Sequence, residues 1–284
     1  MDRAVGPQLL CRVVAVALHA HEQPLRAWWC DRRGPSHRMG GRQRSEPGVC
    51  QPVVRSHMTL CLVTDRHQLD PDARTDRDGA LRMARWLEEA VAVGIDVIQL
   101  RERDLPARLF CDLARSVAGI ASGTRTMVVV NDRADVALAS GCDGVHLPGD
   151  APPVARVRAL AVAPWLVGRS VHNLEETRAH ADADYLLFGA VYDSGPKHGR
   201  GLDALRTVVT AAGRGVSRAH SVSVIAIGGV TAQRAAECMA AGAAGVGAIR
   251  LFLPPGRATG SLGIAAGAAA LRAAFDPAAT SHLQ

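Results

Sequence analysis

From residue 60 onward, short apolar runs alternate with longer amphipathic stretches. The short runs, rich in Val, Ile and Leu, predict strands, and the stretches between them predict helices. Several runs are apolar throughout, which is typical of strands covered on both faces. The predicted strands are Leu60–Asp65, Val97–Glu102, Met127–Asp132, Gly144–Leu147, Leu166–Val171, Tyr185–Val191, Val222–Gly229 and Gly245–Arg250. The predicted helices cover residues 79–93, 106–121, 134–140, 153–162, 174–181, 203–213, 231–241 and 261–275.

This alternation over residues 58–277 predicts an α/β fold, a single-domain (β/α)8 TIM barrel of parallel strands. A doubly wound open sheet is the alternative, but the early G-x-G-x-x-G turn typical of that fold does not occur in the sequence. Residues 1–57 lack sustained periodicity and mix Arg, Gly, Pro and Ser. We expect them to form a flexible N-terminal extension, or to be a non-native segment upstream of a true start at Met58.

Composition narrows the class of protein. Residues 1–57 hold nine arginines and four acidic residues, a net charge of +5, out of +6 for the whole chain. Because the predicted barrel is nearly neutral, we do not expect a nucleic-acid partner. No apolar run reaches the roughly 18 residues of a membrane span. The seven cysteines form no C-x-x-C pair, which favours free thiols in a reducing cytoplasm over a disulfide or zinc framework.

The ends of the predicted strands carry the polar residues, and TIM barrels carry their sites at those ends. Gly228-Gly229 follows the seventh strand, and Ala248-Ile249 ends the eighth. Glycines let backbone N–H groups approach an anion closely, and a helix start adds its dipole. This pattern predicts a phosphate site, with a plain tight turn as the alternative.

Other strand ends carry charged or titratable side chains. Arg101 and Arg103 lie two positions apart on a predicted strand. Because side chains of a strand alternate between its faces, both should lie on the inner wall, where an anion or acidic neighbours must balance their charges. Surface arginines are the alternative. Asn131 and Asp132 suit a ligand amide and Mg²⁺, or simply cap a loop. A histidine at a strand end, such as His172, suits proton transfer, unless it only bonds locally.

Eight motifs along residues 60–253 resemble, in order, the thiamine-phosphate synthase and TenI family. They are Val-Thr-Asp, Gln-Leu-Arg-Glu-Arg, Asn-Asp-Arg-Ala-Asp-Val-Ala, Asp-Gly-Val-His-Leu, Gly-Arg-Ser-Val-His, Ala-Asp-Tyr-Leu-Leu-Phe-Gly, Ile-Gly-Gly-Val and Ala-Gly-Ala-Ala-Gly-Val. The resemblance implies an enzyme of thiamine biosynthesis that acts on a thiazole phosphate. Synthases join hydroxymethylpyrimidine diphosphate to it with Mg²⁺ and release pyrophosphate. TenI-type enzymes are tautomerases that isomerise a thiazole carboxylate phosphate without a metal.

The resemblance also implies roles for particular residues. Gln99, Arg101 and Asn131 match the family's pyrimidine-diphosphate motifs, and Arg103 stands where synthases have Lys. Ser170, Ser194 and Lys197, the only lysine of the chain, match positions at the phosphates. Asp132 matches a Mg²⁺ ligand. The second carboxylate position holds Ala151, and Asp150 lies one residue early. Arg250 stands where many synthases have Ser.

The loop at residues 192–197 and the Gly-Arg-Ser-Val-His motif are more similar to TenI. We therefore expect a thiazole tautomerase in which His172 shuttles the proton, Lys197 assists, and no cofactor is needed. The first alternative is a synthase with Mg²⁺ on Asp132 and Asp150. The second is a non-catalytic barrel that binds a thiamine-related ligand. In each case we expect a cytoplasmic protein with small-molecule ligands, no membrane partner, and a chain compatible with homo-oligomers.

Overall fold

The computed structural model of the chain describes residues 58–161, 165–213 and 222–275. Eight parallel strands close into one barrel, in which each strand pairs with its neighbours in sequence and β8 pairs with β1. The predicted TIM barrel is therefore confirmed. Residues 1–57, for which we expect an extension, lie outside the described residues. The strands are β1 (Thr59–Val63), β2 (Val97–Leu100), β3 (Met127–Asn131), β4 (Gly144–Leu147), β5 (Leu166–Val171), β6 (Tyr185–Gly189), β7 (Ser223–Ile227) and β8 (Gly245–Ala248).

Helices cover the outside of the barrel and connect successive strands. Local caps begin several of them, since Asn173 accepts from the Glu176 N–H and Thr231 accepts from the Arg234 N–H. A four-residue helix that the pattern does not predict follows β1. The helices are α1 (Arg66–Leu69), α2 (Asp76–Ala92), α3 (Ala107–Ala121), α4 (Ala134–Ser140), α5 (Val154–Arg158), α6 (Leu174–Ala179), α7 (Gly201–Gly213), α8 (Ala232–Ala240) and α9 (Ile264–Phe275), with a 3₁₀ helix at Arg250–Phe252.

Most strands are shorter than predicted at their carboxyl ends. β1, β2, β6, β7 and β8 each end two residues before the predicted boundary. The apolar pattern reports burial rather than ladder pairing. Val191, for example, is buried although it lies beyond β6. The residues after each strand therefore form the loops of the barrel mouth.

Two layers of apolar side chains make the core. The larger layer lies between the strands and the helices, and a smaller one fills the barrel interior with Cys61, Val63, Val97, Met127, Val129, Leu166, Tyr185, Leu187 and Ile225. Tyr185 crosses the interior above β5, where a methyl group on Gly168 would lie 2.1 Å from its Cζ. The missing side chain at Gly168 thus gives the tyrosine ring its place, and this ring supports the site described next.

The structure bears on two further features of the sequence, the lack of a membrane span and the state of the cysteines. None of the helices in the described ranges is long and apolar enough to cross a membrane. Cys61, Cys111, Cys142 and Cys238 are free thiols. Cys11, Cys30 and Cys50 lie outside the described residues.

Candidate active site

The floor of the barrel mouth is polar. Gln99, Asn131, His146 and Ser170 lie on four successive strands, β2 to β5. Gln99 Nε2 donates to Asn131 Oδ1 at 2.9 Å. Gln99 Oε1 is buried and has no hydrogen-bond partner among the described residues. Because an unpaired buried acceptor is costly, this oxygen is available to a donor group of a ligand.

His146 joins the other half of this floor. Its Nε2 lies 2.9 Å from Ser170 Oγ and its Nδ1 lies 3.1 Å from the Tyr185 hydroxyl. Burial, with the nearby Arg169 charge, lowers the pKa of His146 to about 3. The imidazole is therefore neutral at physiological pH, and one nitrogen donates while the other accepts. The sequence analysis noted the Gly-Val-His-Leu motif but did not include His146 among the site residues.

The segment after β2 corrects the prediction for the two arginines. β2 ends at Leu100, and Arg103 is exposed rather than on the inner wall. Glu102 turns inward instead. It accepts from Thr64 Oγ1 at 2.6 Å and from the Arg66 N–H at 3.1 Å. Thr64 Oγ1 in turn accepts from the Arg101 N–H at 2.9 Å, so this buried network orients the backbone of Arg101.

The positive charges of Arg101 and Arg103 nevertheless lie close enough to repel each other. Burial and the neighbouring Arg103 both lower the pKa of Arg101. In residues 58–161, 165–213 and 222–275, neither guanidinium has a hydrogen bond or an ion pair with a protein acceptor. Two adjacent cations without a bonded counter-ion make this edge of the mouth a place for a strongly negative ligand.

Two carboxylates extend this edge over β3 and β4. Asp132 follows β3 with a left-handed φ of 66°, and its N–H donates to the His146 carbonyl at 2.8 Å. Such a φ in a residue other than glycine is characteristic of functional sites. Asp150 lies in the loop after β4. Both carboxylates are exposed.

Arg169 holds the loop that carries Asp150. It is only 2% exposed. Its Nη2 donates to the carbonyls of Gly149 and Ala151, at 2.8 and 2.9 Å, and its Nη1 donates to Pro152 at 2.8 Å. Arg169 is therefore a buried residue that anchors the loop through three backbone carbonyls.

The two carboxylates of Asp132 and Asp150 are compatible with a divalent metal only when a bound substrate contributes further oxygens. The described part of the chain has no group of three or more His, Cys, Asp or Glu that could hold a metal. Mg²⁺ usually binds through one or two carboxylates together with substrate phosphates and water. Asp132 and Asp150 supply two exposed carboxylates, so the residues present fit Mg²⁺ bound with a diphosphate.

His172 follows β5 and is held from behind. Its Nδ1 lies 2.9 Å from Glu176 Oε2, and its N–H donates to the same oxygen at 2.8 Å. Although burial opposes ionisation, hydrogen bonds from His172 and Asn173 keep the pKa of Glu176 below its usual value. The imidazole is 38% exposed, and a methyl group on Gly149 would lie 3.3 Å from its Cε1. His172 Nε2 therefore remains available beside the Asp150 loop.

The predicted phosphate site lies across the mouth, after β7 and β8. Gly228 and Gly229 have φ of 95° and 64°. Methyl groups on them would lie 2.5 Å from Ala190 Cβ and 2.6 Å from the Asp193 carbonyl. The turn therefore requires glycine for packing as well. Outside the strand ladder, the hydrogen bonds of the described residues include none from the N–H groups of Gly229, Ile249 and Arg250. These open donors suit an anion.

A set of three side chains, here named the clasp, holds this glycine turn against α8. Arg234 Nη1 donates to the Gly229 carbonyl at 2.8 Å, and its guanidinium lies 4.5 Å from the centre of the Tyr192 ring. The Tyr192 hydroxyl donates to Glu237 Oε2 at 2.6 Å. The clasp of Arg234, Tyr192 and Glu237 thus keeps the Gly229 carbonyl directed toward α8.

The loop after β6 brings the lysine to the same side. Ser194 and Lys197 form a tight hairpin through two backbone hydrogen bonds, of 3.0 and 3.2 Å. Arg250 Nη2 donates to Ser194 Oγ at 3.0 Å. The Lys197 side chain is exposed and makes no ion pair with another described residue. The structure therefore places Lys197, Ser194 and the open amides of Ile249 and Arg250 on one side of the mouth.

Comparisons with known proteins agree with this arrangement. A family model described as thiamine monophosphate synthase matches residues 60–252. A thiamine-phosphate synthase of Methanoculleus marisnigri is 38% identical over 176 residues, 60% of this chain and 80% of the relative. A thiamine-phosphate synthase of Anaeromyxobacter dehalogenans is 38% identical over 193 residues, 66% of this chain and 80% of the relative.

A comparison with solved structures also finds a protein named for this activity. The solved structure of a thiamine phosphate pyrophosphorylase from Pyrococcus furiosus superimposes with a TM-score of 0.61 at 26% identity, covering 80% of this chain and 98% of that one. The family model spans nearly all of the described barrel. The resemblance noted in the sequence is confirmed, and the chain belongs to the thiamine monophosphate synthase family.

Proposed function

We propose that this protein is a thiamine-phosphate synthase, which joins hydroxymethylpyrimidine diphosphate to a thiazole phosphate and releases pyrophosphate. The sequence analysis favours a tautomerase and keeps the synthase as its first alternative. The names of the relatives favour the synthase. Tautomerase activity stays a prediction that the experiment below separates from synthesis.

The observation that carries the proposal is the presence of two separate sets of anion-binding groups. One set comprises Arg101 and Arg103 after β2. The carboxylates of Asp132 and Asp150, after β3 and β4, are not anion-binding groups themselves but would hold Mg²⁺ for the diphosphate. The other comprises the open amides after β7 and β8. A synthase binds two anionic substrates at once, whereas a tautomerase acts on one phosphate. Two sets therefore match the synthase.

The floor between the two sets suits the pyrimidine ring. Gln99 Oε1 is buried and has no partner within the described ranges, so a donor group of a ligand would satisfy it. An amino group on the pyrimidine is a suitable donor. Gln99 also donates to Asn131, which fixes the orientation of its amide.

The chemistry requires charge stabilisation rather than proton transfer. The C–O bond between the pyrimidine methylene and the diphosphate breaks, and its electrons leave with pyrophosphate. The thiazole nitrogen donates its lone pair to the methylene carbon, which forms the new C–N bond and a thiazolium. Arg101, Arg103 and Lys197 stabilise the negative charge that develops on the leaving diphosphate. Asp132 and Asp150 would hold Mg²⁺, which would supply further positive charge to the leaving diphosphate.

The test is a pyrophosphate-release assay with both substrates, with and without EDTA. We expect Mg²⁺-dependent release, a loss of about 100-fold in kcat/KM for Arg101→Ala, and substantial retained activity for His172→Ala. The tautomerase instead requires metal-independent proton exchange on the thiazole substrate, followed by NMR and lost in His172→Ala. Absence of pyrophosphate release at saturating substrates contradicts the synthase, and tight binding without turnover identifies a non-catalytic barrel.

A further inference from the structure

Arg250 occupies a position that the proposed mechanism does not use. It is exposed and begins the 3₁₀ helix that follows β8. Its guanidinium donates through Nη2 to Ser194 Oγ, a residue 56 positions earlier in the chain. This bond joins the end of β8 to the hairpin that carries Lys197, on the same side of the mouth. The side chain therefore lies beside the open amides of the phosphate site.

The charge of Arg250 is not balanced by the protein. Other exposed arginines, such as Arg115 and Arg206, form ion pairs with Asp112 and Asp203. Within the ranges that the structure describes, Arg250 pairs with no carboxylate and bonds only a neutral hydroxyl. A serine hydroxyl orients a guanidinium without neutralising it. Its remaining N–H groups and its full charge stay available to an anion.

We propose that Arg250 is a specificity-determining residue that binds the phosphate of the thiazole substrate opposite the Gly228-Gly229 amides, with Ser194 orienting its guanidinium. This inference rests on the proposed function and deepens it. A planar guanidinium fork matches two phosphate oxygens, which a serine hydroxyl at this position cannot do. The protein then selects phosphorylated over unphosphorylated thiazole by side-chain charge as well as by backbone amides.

The first test measures binding without turnover. Calorimetric titration of the full chain with thiazole phosphate alone should show a Kd about 10- to 100-fold weaker for Arg250→Ala than for the unaltered protein. Arg250→Lys should fall between them, because it keeps the charge and loses the fork. Ser194→Ala should weaken binding less than about fivefold, since the charge remains. Arg178→Ala, an exposed arginine at the far end of α6, should bind as the unaltered protein does.

The second test separates contact from general damage. In steady-state assays, Arg250→Ala should raise KM for thiazole phosphate and leave KM for the pyrimidine diphosphate unchanged. Unphosphorylated thiazole should bind both proteins equally weakly. Thermal unfolding should be unaffected, because the side chain is exposed.

Several results would overturn the inference. The first two are unchanged thiazole phosphate binding in Arg250→Ala, and losses of binding that are equal in Arg250→Ala and Ser194→Ala. The others are equal rises in the KM values of both substrates in Arg250→Ala, and no measurable binding of thiazole phosphate by the unaltered protein. Equal losses would mean that Arg250 acts only by holding the hairpin. If pyrophosphate release is absent but Arg250→Ala still weakens binding, the synthase proposal fails and this inference stands. If release occurs and binding is unchanged, only this inference fails.

Discussion

Replacing Arg234 with Met should loosen the glycine turn after β7, because the clasp depends on this guanidinium. It contributes one hydrogen bond to Gly229, at 2.8 Å, and one ring contact with Tyr192, at 4.5 Å. A partly exposed cation–π contact contributes about 0.5–1 kcal/mol and a hydrogen bond from a charged donor about 1.5 kcal/mol. Methionine keeps much of the apolar stem. We therefore expect the free energy of unfolding to fall by about 2 kcal/mol.

The same change should affect one substrate more than the other. The released Gly229 carbonyl no longer fixes the direction of the neighbouring amides, so KM for thiazole phosphate should rise by about 10-fold. KM for the pyrimidine diphosphate, bound across the mouth, should change little. Urea unfolding and steady-state kinetics measure the two effects.

Three variants control the interpretation. Gln233→Met, exposed on the same helix, should change neither stability nor KM. Tyr192→Phe removes the hydroxyl contacts with Glu237 Oε2, at 2.6 Å, and with the Arg234 carbonyl, at 3.4 Å, and should cost about 1 kcal/mol. Arg234→Lys should recover part of the loss in both measurements. Unchanged stability in Arg234→Met, or an equal rise in both KM values, would refute the role assigned to the clasp.

Three further predictions concern the floor and the Asp150 loop. Arg169→Met leaves three carbonyls of the Asp150 loop without their donor, so the free energy of unfolding should fall by about 3 kcal/mol. Because the loop carries Asp150, the Mg²⁺ concentration needed for half-maximal activity, measured by titration, should also rise. Below pH 6.5 the unfolded chain protonates His146 while the folded protein, with a pKa of about 3, does not. The free energy of unfolding should therefore decrease with falling pH by up to about 1.4 kcal/mol per unit, and an unchanged slope in His146→Asn urea titrations would contradict this. Gly168→Ala should displace the Tyr185 ring and cost about 1–3 kcal/mol by thermal unfolding, whereas an unaffected melting temperature would show that the ring adapts freely.

The sequence by itself determined the barrel and the end of the barrel where the site lies. Burial of every strand on both faces produces continuous apolar runs, and the helices between them carry a different period. In a closed parallel barrel all carboxyl ends meet at one mouth. Residues at or after the strand ends, such as Asn131, His172 and Lys197, could therefore be predicted as neighbours without knowing any distance.

Only the tertiary structure decided which polar side chains are satisfied within the protein and which remain open. Glu102 rather than Arg103 turns inward because Thr64, directly after β1, and Arg66, at the start of α1, provide donors. Arg169, near the carboxyl end of β5, anchors the loop after β4 instead of remaining open at the mouth. The bond from Arg250 to Ser194 joins residues 56 positions apart. Periodicity reports the face on which a side chain lies, whereas its partner depends on how distant segments meet.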